Sequence, residues 1–236
     1  MPWTEAPFDQ LIPYRELSDK RVLEIGVGMG SHAELLARAA AGFVGIELTE
    51  YAAKATRRRL ELAGVPGQVC RMDAERLALA DASIDLVWSW GVIHHLPDTR
   101  RALSEIHRVL KPGGTAITMV YHRSVWLWWM MGFALHGILR GRIAALRSIH
   151  RVVQEVTDGA IARYYRPKEW RELCREFFNV ERLQVYGAKN ELVPLPQGRL
   201  KSALMASIPD PLVRLLCNRL RFGSFLVAVL RKAPAD

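Results

Sequence analysis

The chain has 236 residues, half of them hydrophobic and 24% charged, which excludes an intrinsically disordered chain and allows one sizeable core. Its formal net charge of +9 is uneven: 14 Lys/Arg against 15 Asp/Glu give −1 over residues 1–120, whereas 19 against 9 give +10 over residues 121–236. The three cysteines, Cys70, Cys174 and Cys217, are far apart and lack CxxC spacing, which argues against a disulfide framework or a zinc site and fits a reducing, cytoplasmic setting.

The opening MPWTEAPFDQ is acidic and lacks the basic-then-apolar pattern of a signal peptide; residues 1–19 read as an N-terminal segment. RVLEIG is a short apolar run ending in glycine, the pattern of a fully buried parallel strand. SHAELLARAAA follows as a helix, with Ser31 in the N-cap place and Glu34 three residues on. FVGIEL is a second strand, and TEYAAKATRRRLELAG a second helix closed by Gly64. QVCRMDA and SIDLVWSW supply the third and fourth strands. DTRRALSEIHRVL is a helix with Ala102, Leu103, Ile106, Val109 and Leu110 on one face, KPGG a turn, and TAITMVY a fifth strand. This alternation predicts a doubly wound parallel sheet with helices on both faces and right-handed crossovers.

After Tyr121 the rhythm changes. WLWWMMGFALHGIL is apolar and bracketed by Arg123 and Arg140, but falls short of the roughly 20 residues a membrane helix needs. It reads as the core of a cap, the lining of an apolar pocket, or a segment lying on a membrane with its arginines at headgroups. YYRPKEWRELCREFF is an amphipathic helix behind Pro167. Residues 122–179 together read as a helical cap. Residues 180–236 hold a sixth strand at 180–186, an irregular insertion over 187–223 with a short helix at 211–220, and a last strand at 224–230. With no helical crossover between them, these two strands are expected as an antiparallel edge pair.

Gly26, Gly28 and Gly30 follow the first strand with GxGxG spacing. A dinucleotide fold places its third glycine one residue later, and a P-loop carries a Lys-Ser/Thr pair that is missing here. Three carboxylates stand at the carboxyl ends of strands, where doubly wound sheets bind ligands: Glu24 in the first, Glu47 ending the second and Asp73 ending the third. Trp90 ends the fourth. Carboxylates without a phosphate clamp suit a ligand with a ribose, a base and positive charge. Each residue alone also has a structural explanation, an ion pair for Glu24 and a turn cap for Asp73.

VLEIGVGMG, GIEL, MDAERL, DLVWSWGVIHHL and RVLKPGG, in this order over residues 20–121, resemble class I S-adenosylmethionine-dependent methyltransferases of the type 11 domain branch. The resemblance implies an α/β, Rossmann-like, doubly wound seven-stranded sheet of order 3-2-1-4-5-7-6 with an antiparallel last pair and a helical cap after strand 5. It implies S-adenosyl-L-methionine as cofactor, leaving as S-adenosyl-L-homocysteine. Gly26, Gly28, Gly30 and Trp90 would hold the methionine end, and Glu24 would orient its ammonium. Glu47 would bind the ribose hydroxyls, Leu48 would pack on the adenine, and Asp73 and Ala74 would meet the adenine edge. No metal is implied.

Methyl transfer rests on positioning, and needs a general base only when the acceptor must lose a proton. His95 is the candidate base, with His94 read as packing. Tyr121, His122, Arg123, Tyr164 and Tyr165 are the candidate acceptor contacts, with packing and solvated surface as their structural alternatives; Arg166 is a further candidate for an acidic group on the acceptor. The function expected is methylation of a small-molecule acceptor: a natural product, a saccharide or a lipid-like compound. The alternative is a peripheral-membrane lipid or quinone methyltransferase. RNA methylation, prompted by the basic second half, lacks a recognisable RNA-binding module and has WSWG where an NPPY-type motif would stand. A non-catalytic S-adenosylmethionine-binding protein is the remaining reading.

Overall fold

The computed structural model describes residues 11–124, 161–193, 195 and 198–235, with positions 128, 129, 133, 138, 139, 141 and 151 between. The chain forms two compact units. One comprises Phe8–Met119, Trp170–Leu183 and Ala228–Asp236; the other comprises Met1–Pro7, Val120–Glu169 and Gln184–Val227.

The first unit carries the predicted alternation. Its strands are β1 (Arg21–Ile25), β2 (Gly42–Glu47), β3 (Gln68–Arg71) and β4 (Ile84–Trp90), and its helices are α1 (Ser31–Ala39), α2 (Glu50–Leu62) and α3 (Thr99–Val109). β1 is buried from its second residue on, as its unbroken apolar run requires. It lies between β2 and β4, parallel to both, with Glu24 opposite Gly45 on one side and Trp88 on the other. α3 buries Ala102, Leu103, Ile106 and Val109, the spacing of one helix face. The Asp98 carboxylate caps it by accepting from the Arg101 N–H at 3.0 Å.

The chain continues through β5 (Leu110–His122), β6 (Tyr164–Tyr165), α4 (Pro167–Arg175), β7 (Asn179–Tyr186), α5 (Lys189–Leu192), α6 (Arg199–Ser207), α7 (Asp210–Val213), a π-type turn (Arg214–Arg219) and β8 (Phe225–Arg231). The sheet order is β3-β2-β1-β4-β5-β8-β7 with the last pair antiparallel, and β6 pairs with β5. The predicted order thus holds along the main path, with one short strand added.

Four local readings are corrected. KPGG is not a turn before the fifth strand but part of it: β5 starts at Leu110, and its register against β4 jumps between Ile84↔Leu110 and Leu86↔Thr115, a bulge that Gly113 accommodates with φ +73°. Ser31 is the first helical residue of α1 and not its N-cap; Gly30 holds that place with φ +81°, and Glu34 instead accepts from Arg38 and Arg59. The insertion over 187–223 is less irregular than expected, since α5 and α6 precede the helix expected at 211–220, which is found as α7 and the π-type turn. β3 ends at Arg71, so Asp73 sits in the turn beyond the strand. About half of the predicted cap over 122–179, including most of WLWWMMGFALHGIL, lies outside the described residues. Of its described parts, Tyr164–Tyr165 is extended and Pro167–Arg175 is helical.

In the second unit, Ala162 and Tyr164 form a small core with Tyr121 and Trp128 packed on it. A Cβ on Gly223 would fall 2.2 Å from the Tyr186 carbonyl oxygen, and one on Gly187 2.6 Å from the Gly223 Cα, so two backbones pass where no side chain fits. The Glu191 carboxylate closes the same corner, accepting from the Ala188 and Ser224 N–H groups at 2.8 Å each.

Candidate functional site

The glycine turn after β1 is fixed from two sides. Gly26 donates its N–H to the Ile46 carbonyl at 2.8 Å, and a Cβ there would fall 2.2 Å from a methyl of Val92. Gly28 donates its N–H to Glu47 Oε2 at 3.1 Å and accepts from the Thr56 hydroxyl at 2.8 Å. Gly28 has φ +52° and nothing within 4 Å of where its Cβ would stand, so the turn presents bare backbone to open space.

Glu47 is the hub. Its Oε1 accepts from the Leu48 and Thr49 N–H groups at 3.0 and 3.2 Å, while its Oε2 faces Gly28. A carboxylate offers roughly four lone-pair positions, so Oε2 keeps room for hydroxyl donors from a ligand. Leu48, 60% exposed, stands next to it in the chain as an apolar surface. In the next turn, the exposed Asp73 accepts from the Glu75 N–H through Oδ1 at 2.9 Å, and Ala74 is buried.

Glu24 is the unusual group. It is 3% exposed, and among the described residues its Oε2 has no hydrogen-bond partner. Burial pushes its carboxyl pKa well above the usual carboxylate range. His32 Nδ1 lies 4.0 Å from Oε1, and burial lowers that imidazole's pKa, which favours the neutral ring. His32 rests edge-on against Trp88 and Trp90, whose rings stack 5.2 Å apart. An incoming cation would complete Glu24, and a diol would complete Glu47. This donor set therefore fits the ammonium and ribose of S-adenosylmethionine.

His94 and His95 follow β4 in a short 3-10 turn, their rings 4.1 Å apart. His94 is fully buried; burial, then the neighbouring His95, push its pKa down to about 2, against a hydrogen bond to the Met119 backbone. A neutral His94 is unsuited to hold a proton during turnover, whereas His95 is only half-buried. A depressed histidine pKa adds stability that is complete above about pH 6.5 and is lost as pH falls from there toward the folded value, at about 1.4 kcal/mol per unit. The melting temperature should therefore fall steadily below about pH 6.5. His94→Asn should flatten that slope, and an unchanged slope would transfer it to another group such as His122, also depressed by burial.

The acceptor candidates lie in the second unit. Tyr121 and Tyr164 stack at 5.5 Å and face each other in register, as do His122 and Tyr165. His122 is buried with Nδ1 2.8 Å from the Gly223 carbonyl, and its N–H donates to Ser224. Arg123 donates to the Tyr164 carbonyl at 3.0 Å, pairs with Glu169 at 3.5 Å, and lies 5.0 Å over the Trp128 ring. Arg166 donates its N–H to Glu169 Oε2 at 2.9 Å. The structure thus brings Tyr121, Arg123 and Tyr164 into one cluster and places His122 in packing. Sequence reasoning missed Thr56 and His32, since neither stands in a motif; only the fold brings α2 to Gly28 and α1 to Glu24. Among the described residues no cluster of metal-ligating side chains occurs.

Comparison with known proteins agrees with this geometry. A family model described as a methyltransferase domain matches residues 23–118. The chain is 41% identical over 101 residues to phthiotriol/phenolphthiotriol dimycocerosates methyltransferase 1 of Mycobacterium ulcerans, covering 42% of this chain and 36% of that protein. It is 30% identical over 132 residues to the ubiquinone biosynthesis O-methyltransferase of Rhizobium etli, covering 56% and 53%. It therefore spans about a third to a half of these relatives. The fold matches an S-adenosylmethionine-dependent methyltransferase of Mesorhizobium loti with TM-score 0.61 at 19% identity, over 94% of both chains. It matches another of Methanosarcina mazei with TM-score 0.62 at 17% identity, over 97% of this chain and 98% of the other. Residues 23–118 thus match a methyltransferase domain, and the fold is the one seen in solved S-adenosylmethionine-dependent methyltransferases.

Proposed function

We propose that this chain transfers a methyl group from S-adenosylmethionine to a small, lipid-like acceptor. The observation that carries the cofactor half is the buried Glu24 carboxyl with its unpartnered oxygen, beside a bare-backbone glycine turn held by Glu47. Bound there, the cofactor supplies an electrophilic methyl group on a sulfonium. Glu24 holds the ammonium, Glu47 holds the ribose diol and at the same time fixes the Gly28 amide, and Leu48 offers an apolar face to the base. Orientation of the two reactants supplies most of the catalysis, because displacement at a sulfonium needs little covalent help.

His95 serves as general base where the acceptor atom carries a proton. His95→Ala should lower kcat by on the order of 10²- to 10⁴-fold, the usual worth of a positioned base, with cofactor affinity unchanged. A fully active variant would mean that the acceptor gives up no proton to His95. The lipid-like class is favoured over saccharides by the names of the relatives, which act in phthiotriol dimycocerosate and ubiquinone synthesis. The deciding experiment is transfer of a radiolabelled methyl group to panels of long-chain phenols and alcohols, quinols, and sugars. Labelling confined to the sugars would overturn the lipid half, and no calorimetric binding of S-adenosylmethionine would overturn the whole.

A further inference from the structure

Between Arg199 and Arg221 the chain presents five leucines outward. Leu200 is 67% exposed, Leu204 41%, Leu212 43%, Leu215 43% and Leu220 55%. A lone exposed leucine is ordinary, but five so close in sequence are not. Leu200 and Leu204 stand four apart on α6 and so share one face. Val213 and Cys217 are fully buried and define the inner side of α7 and the turn after it, so Leu212 and Leu215 are left on the solvent side.

The charges among these leucines have one sign. Arg199, Arg214, Arg219 and Arg221 are exposed. The segment contains a single acid, Asp210, whose carboxylate is paired with Lys189. Its formal charge is +4, from five Lys/Arg and one Asp.

This combination selects among partners. Interfaces between proteins draw their binding energy mainly from Trp, Tyr and Arg, with leucine under-represented at the dominant positions, and this face is aliphatic. Nucleic acid uses the arginines but has no use for the leucines. An anionic bilayer uses both, with aliphatic side chains entering the headgroup–acyl boundary and arginines meeting the phosphates. α6 has nine residues and α7 four, far too short to span, so the contact is shallow. We propose that residues 199–221 dock this chain on an anionic lipid surface.

The test uses the full chain and two vesicle types, phosphatidylcholine alone and phosphatidylcholine with phosphatidylglycerol, read by co-sedimentation. Binding is expected to the second type only. It should weaken by on the order of tenfold or more from about 0.1 to about 1 M salt, as the screening length shrinks from about 10 to about 3 Å. Exchanging Leu212, Leu215 and Leu220 together for Ser should weaken partitioning by on the order of tenfold or more. R214Q with R219Q should weaken it by about thirtyfold. Circular dichroism and cofactor calorimetry should be unchanged in both variants.

If the parent ignores anionic vesicles, or if either variant binds them as the parent does, the proposal is overturned. It is equally overturned if the leucine variant turns a dimer into a monomer in light scattering while no form binds vesicles, because the face then belongs to a second copy. Cofactor calorimetry on the parent separates this surface from the methyl-transfer reading, since a chain that binds vesicles but not S-adenosylmethionine keeps the one and loses the other.

Discussion

Glu47→Ala should weaken S-adenosylmethionine binding by on the order of 10²- to 10³-fold in calorimetry. Hydrogen bonds to a charged group are worth about 1.5–3 kcal/mol each, and two ribose hydroxyls would lose them. The effect is compounded because the same carboxylate holds the Gly28 N–H at 3.1 Å and the Leu48 and Thr49 N–H groups. Without it Gly28 keeps the Thr56 hydroxyl on its carbonyl but loses the partner of its N–H. Glu47→Gln keeps one acceptor oxygen and should fall between parent and alanine variant. An alanine variant that binds the cofactor within about twofold of the parent would remove the ribose role.

Glu24→Gln should make the protein more stable and a worse binder. A carboxyl whose folded pKa is raised keeps its proton where the unfolded chain has released it. Its stabilising share is complete below about pH 4.3 and is lost as pH rises toward the folded value. Above that range the buried carboxyl is therefore a cost, and a neutral amide of the same shape should raise the melting temperature by about 2–4 °C per kcal/mol recovered. Cofactor affinity should fall by on the order of 10- to 100-fold, because the amide offers no charge to an ammonium. Binding by the parent should release protons, seen as a calorimetric enthalpy that varies with the ionisation enthalpy of the buffer. A Glu24→Gln chain with unchanged melting and unchanged affinity would exclude Glu24 from both roles.

The first unit was legible because its signals are local. Apolar runs ending at Gly26 and Glu47 and the face of α3 each lie within one element, and alternation then dictates parallel order. The bulge at Gly113 was not legible, because a KPGG stretch has the composition of a turn and only pairing with Ile84 and Leu86 pulls it into the strand. Nor was β6, whose two residues carry no periodicity and become a strand only beside Tyr121 and His122. Ser31 misled because capping preference competes with a left-handed glycine, and Gly30 makes the turn. The site was half-legible: Glu24, Glu47 and the glycines sit in a motif. The Thr56 and His32 contacts join residues 28 and 8 positions apart, which no spacing rule announces.

The end of β8 shapes how this protein comes to be. Lys232 Nζ donates to the His107 and Leu110 carbonyls at 2.8 Å each, and its backbone brackets the bulge through Gly113 and Gly114. Arg231 adds a hydrogen bond to the Gly113 carbonyl at 2.7 Å. The carbonyls at the end of α3 and the start of β5 thus wait for partners made more than a hundred residues later. On the ribosome, the unit that holds the glycine turn is made early but closes late. Contacts of such long sequence separation fold slowly. A nascent chain stopped before residue 228 should expose that edge to chaperones and proteases, whatever the quality of the site already synthesised.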